Sequence, residues 1–143
     1  IFWRIAGTSA SDASVSVLHL IIAAVGPAAY RYFGAPSLAP LAEQGSWTPA
    51  LETLAIAGVF AVFSLYAFSG AGLLRRLPGL RPILFAIGFI YCLRGLVLFV
   101  ELYLLAIGKY PTPHLIVFSA VSLVIGALHL VGTGARPAAQ PQA

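Results

Sequence analysis

The sequence predicts an all-α integral membrane protein, an antiparallel up-down-up-down bundle of four transmembrane helices. Three observations carry that expectation. The 143 residues are 60% hydrophobic and only 8% charged, against about 25% charged in a typical soluble domain. Mean hydropathy is +0.97, more apolar surface than a soluble globule of this size can bury. Four runs reach the roughly 20 apolar residues that a spanning helix needs, and the connections between them are short. A water-soluble domain and a disordered chain are both excluded.

The first span is expected over about residues 13–33, the second over 48–74, the third over 82–108 and the fourth over 113–133. Pro27 falls inside the first, frees the carbonyl of Ala23 and should kink the helix. The second holds 22 consecutive residues without a formal charge, from Thr53 to Leu74. Pro49, Pro82 and Pro113 stand at predicted helix starts, where a missing N–H costs nothing. Gly34, Gly108 and Gly132 stand near predicted ends. Strands are not expected, because the runs are too long and do not alternate. The loops are 34–47, 75–81 (RRLPGLR) and 109–112. Loops this short place consecutive helices antiparallel. Residues 1–134 therefore read as one domain, and 135–143 (ARPAAQPQA with its first residue) as a disordered cytoplasmic tail. The chain opens at Ile1 without a Met, as a trimmed chain would. Its first residues lack the h-region and small-residue cleavage site of a signal peptide.

Orientation follows from the basic residues. Arg75, Arg76 and Arg81 lie in the second loop, and Arg4 and Arg136 lie near the termini on that same side. Arg31 and Lys109 lie on the other side, with Glu43 and Glu52 nearby. The bias places both termini in the cytoplasm. A net charge of +4 is explained by this topology and does not suggest nucleic acid. Trp3, Trp47, Tyr30, Tyr32 and Tyr110 fall near span ends, where interfacial aromatics belong. One cysteine, Cys92, excludes an intrachain disulfide and a thiolate metal cluster. In an apolar span it reads as an inert buried thiol.

The stretches YRYFGAP (30–36), YAFSGAGLLRRLPGLR (66–81) and YCLRGL (91–96) resemble a group of uncharacterised small four-span bacterial inner-membrane proteins. The resemblance runs from about His19 to His129. It implies the fold and a bacterial inner-membrane location, and it implies no activity.

Function should show at ionisable groups inside the spans, which are costly and face protein or water. In the third span Leu84, Ile87, Tyr91, Arg94, Leu98, Glu101 and Leu105 share one stripe, and Gly88 and Gly95 lie on an adjacent face that permits close backbone approach. Arg94 and Glu101 are seven residues apart, about 10.5 Å along the axis. They read as an interhelical polar clamp, or as an anion or quinone head-group site or proton relay. In the first span Asp12, Ser16, His19, Ala23, Gly26 and Tyr30 share a face. In the fourth, Ser119, Ser122, Gly126 and His129 do. His19 and His129 fall at similar depth and would approach if these spans are neighbours. Two such histidines suit a haem b, and one suits a chlorophyll-type pigment such as bacteriochlorophyll. The plainer alternative is hydrogen bonding across the bundle. Glu52, Glu101, Arg31 and His114 are expected near the outer surface, with a Glu52–Arg31 salt bridge as the simplest arrangement. No HExxH-like motif occurs, and no metal site, phosphate loop or catalytic triad is expected.

Lacking an extramembrane domain and a catalytic motif, the chain reads first as a small accessory subunit. It would sit in the lipid bilayer beside other membrane subunits of a respiratory or photosynthetic complex. Two alternatives stand beside it. One is a haem- or pigment-binding protein using His19 and His129. The other is a lipid-modifying enzyme or small transporter using Glu52, Arg94 and Glu101, with Tyr91 on the same stripe.

Overall fold

A computed structural model describes residues 2–109 and 112–134, with side chains from Thr8 onward. Its helices are α1 (Phe2–Val25), α2 (Pro27–Tyr32), α3 (Leu38–Glu43), α4 (Thr48–Gly70), α5 (Leu80–Ala106) and α6 (Leu115–Gly134). No strand occurs among the described residues. Four helices, α1, α4, α5 and α6, are long and apolar enough to cross a membrane. The proposed tail at 135–143, with Arg136, and the interfacial Tyr110 lie outside the described residues, as do the side chains of Trp3 and Arg4.

The first span differs from expectation at both ends. It begins at Phe2, so Asp12 lies well inside a helix rather than before one. It ends at Val25 instead of continuing to residue 33. Pro27 has no N–H to donate, and Gly26 adopts φ 76° and ψ −134°, a conformation open essentially to glycine. The expected kink is therefore a break, and the chain restarts as α2. The second span also stops early, at Gly70. Gly72 takes φ 74°, its N–H bonds to Ser69 O at 3.1 Å, and the Leu73 N–H bonds to Phe68 O at 2.9 Å. That bond pair closes a helix. Leu73 and Leu74 are apolar and count towards a span by composition, yet they lie beyond the stop.

Small residues set the packing. Ser16 Oγ donates to Ala57 O at 2.8 Å, and Ser64 Oγ donates to Ser9 O at 3.4 Å. Rising numbers along α1 thus meet falling numbers along α4. Between α5 and α6 the backbones touch. A Cβ on Gly95 would lie 2.5 Å from Leu123 Cα, and one on Gly126 would lie 2.6 Å from Cys92 N. Narrower contacts join α1 to α6 and α4 to α5. Ala67, Leu84, Ile87, Tyr91 and Ile125 form one buried cluster, and Ile22, Ala29, Tyr30 and Ala39 form another. Tyr30, expected at an interface, is core instead, because α2 folds back against α3. Within the apolar 18-residue stretch of each long helix only 22% to 28% of residues are buried, so most of that apolar surface faces outward.

Candidate functional site

The polar side of α1 builds the site. Thr8, Ser9, Asp12 and Ser16 recur at three- and four-residue steps and are all buried, Asp12 completely. Across from them α6 presents His129, only 2% exposed. His129 Nε2 lies 3.2 Å from Asp12 Oδ2, within ion-pair range but without hydrogen-bond alignment. From α5, the buried Tyr91 interacts with the same carboxylate. Both Asp12 oxygens, the Tyr91 hydroxyl and His129 Nε2 are buried, and none has a partner in full hydrogen-bond geometry. Leaving such groups unsatisfied costs free energy, about 1–3 kcal/mol each and more for a charge. Their convergence from three helices marks the place where this fold departs from ordinary packing.

The protons at this site follow from its neighbours. His129 Nδ1 lies 3.1 Å from Ile125 O. A carbonyl only accepts, so Nδ1 carries a hydrogen. Nε2 of a neutral ring with that tautomer would be an acceptor facing a carboxylate oxygen at 3.2 Å. Two acceptors at that distance repel. A proton on Nε2 or on Oδ2 would relieve that repulsion and leave the pair neutral overall either way.

His19 and His129 are not brought together. His19 is half-buried, with Nδ1 2.8 Å from Val15 O. Asp12, two turns earlier on α1 and about 10.5 Å away along the axis, is the residue that meets His129. A row of rings separates the histidines. His19 lies 5.2 Å from Phe60, Phe60 lies 5.8 Å from Tyr91, and Tyr91 lies 6.0 Å from His129 between centroids.

Arg94 stands near the midpoint of α5 and is exposed. Its Nη1 donates to Ser119 Oγ at 2.9 Å. Glu101 is buried two turns further along α5. Glu52 is exposed on the first turns of α4, and no described hydrogen bond or ion pair joins it to Arg94. The expected Glu52–Arg31 bridge does not form. Arg31 pairs with Glu43 instead, on the surface, because the turn after α2 sends α3 back alongside it. His114 Nε2 donates to Tyr32 O at 2.8 Å, and its ring stacks on Tyr32 at 4.6 Å. Among the described residues, Arg31 and His114 thus take partners other than Glu52. Among the described residues no group of three or more His, Cys, Asp and Glu is arranged to hold a metal.

Sequence reasoning placed Asp12 on the His19 stripe, one position before the expected start of the first span at residue 13, and gave it no role. Its signal was the matching depth of an acid on the first helix and a histidine on the last. No protein-family model matches the chain, and neither a curated protein nor a solved structure matches it.

Proposed function

We propose that the chain is a small accessory subunit of a larger respiratory or photosynthetic complex in a bacterial inner membrane. It would cross the bilayer four times, up-down-up-down, with both termini cytoplasmic. The opposed hydrogen-bond register of α1 and α4 supports that order, and the cations of the second loop support the orientation.

One observation carries the subunit reading. Arg94 is charged, exposed and in the middle of a spanning helix. It lies about 18 Å from one end of α5 and 21 Å from the other by the helical rise. A hydrocarbon half-layer is about 15 Å thick. Against lipid, an arginine there costs several kcal/mol even after snorkelling. Ser119 supplies a single neutral acceptor. A neighbouring membrane helix bearing a carboxylate would remove the cost, and it would cover the apolar surface around Arg94, where Leu93, Ile90 and Val97 are exposed.

The test is gentle solubilisation, size exclusion and identification of what travels with the protein. The expected result is a stoichiometric complex with a larger membrane subunit. Arg94→Leu should release the chain from that complex while leaving its helicity intact. A wild-type chain that migrates alone would remove the subunit reading.

A further inference from the structure

We propose that Asp12 and His129, with Tyr91 beside them, form an exchangeable proton-binding site inside the membrane-spanning helices. The inference does not depend on what the protein assembles with.

The loaded site is the one the geometry describes. Nδ1 of His129 is committed to Ile125 O, Nε2 and Asp12 Oδ2 approach to 3.2 Å, and the loaded site carries one proton on either atom. Its net charge is zero. Releasing that proton to water leaves Asp12 as a carboxylate and His129 as a neutral ring. The site then carries one negative charge and places two lone pairs against each other. Binding a proton from water reverses both changes. No other bond is made or broken, and no electron moves.

The surroundings favour exchange over a fixed ion pair. A pair made rigid for packing satisfies its remaining atoms. Here Tyr91, on α5, interacts with the Asp12 carboxylate, and His129 Nε2 meets Asp12 Oδ2 at 3.2 Å without hydrogen-bond alignment, so neither neighbour locks the carboxylate in one geometry. In the released state the Tyr91 O–H can turn to the carboxylate and stabilise it, which makes Tyr91 a positioning residue for the proton. Other described groups nearby have contacts of their own. Arg94 points to Ser119, His19 lies beyond Phe60, and α4 faces α1 here with Ser64, which bonds to Ser9 O.

The distance from the site to a helix end is short. His129 is five residues before the end of α6 at Gly134, about 7.5 Å along the axis. Thr8 and Ser9 place hydroxyls one turn before Asp12 on the same buried face. Thr133, one turn beyond His129, donates its hydroxyl to the His129 carbonyl.

The experiment is nuclear magnetic resonance of the full chain, labelled with 15N and 13C, in lipid nanodiscs between pH 4 and pH 10. The expected result is one step in which the His129 Nε2 shift and the Asp12 carboxyl shift change together. Signals that stay constant across the range, in a folded protein, would overturn the proposal and leave a static clamp. Asp12→Asn should abolish the coupled step, and a His129 midpoint unchanged by that substitution would also overturn it. If Asp12→Asn does not fold, the wild-type titration alone decides. Tyr91→Phe removes a donor that favours the released state, so it should tighten proton binding about tenfold and raise the midpoint by about one pH unit. An unmoved midpoint would remove Tyr91 from the site.

Discussion

A single missing methyl decides how α5 and α6 meet. A Cβ on Gly126 would sit 2.6 Å from Cys92 N and 2.8 Å from Gly88 O, and backbone atoms cannot swing aside as a side-chain tip can. Gly126→Ala should therefore destabilise the protein by about 1–3 kcal/mol, as over-packing does. Unfolding in mixed micelles measures it. Gly58 is the control, since nothing lies within 4 Å of a Cβ there. Gly58→Ala should be neutral or stabilising by up to about 1 kcal/mol through helix propensity. If both variants behave alike, close backbone contact is not what holds this pair. Gly88 and Gly95 were legible as a close-approach face because small residues in a span have few other uses. The Asp12–His129 pairing was not, because it turns on where α1 begins. An apolar-run criterion cannot place a helix start that lies among alanines and serines.

At the scale of elements, composition located four spans and misjudged their ends. Hydropathy averages over residues and does not register a backbone stop. The stop at Gly26 is such a case. Its conformation, φ 76° and ψ −134°, is costly for any residue with a Cβ, while open space around it removes any steric objection. Gly26→Ala should cost about 1–3 kcal/mol from backbone strain alone, read in the same micelle assay. An unchanged stability would mean that α1 and α2 join without needing that conformation. The break has a packing result too. It frees α2 to turn against α3, which buries Tyr30 and brings Arg31 to Glu43. Sequence pattern could not foresee that pairing, because Glu43 and Glu52 are equally plausible partners until the loop between them has a shape.

For the whole molecule, the order of spans and their sidedness make one joint prediction. In a Cys92→Ala background, Ser46→Cys precedes α4 and Arg76→Cys follows it. A membrane-impermeant maleimide added to intact cells should label the first and reach the second only after permeabilisation. Labelling of both from outside would reject the proposed topology. The four-helix content was readable from four apolar runs of spanning length, and the 8% charged residues marked the chain as membrane-embedded. The interior pairing bears on biogenesis as well. Asp12 belongs to the first spanning helix to be synthesised and His129 to the last. A chain stopped before α6 would keep its acid inside the membrane facing Tyr91 alone. Completion of translation and completion of the interior's polar matching therefore coincide, and a truncated product carries its own defect within the bilayer.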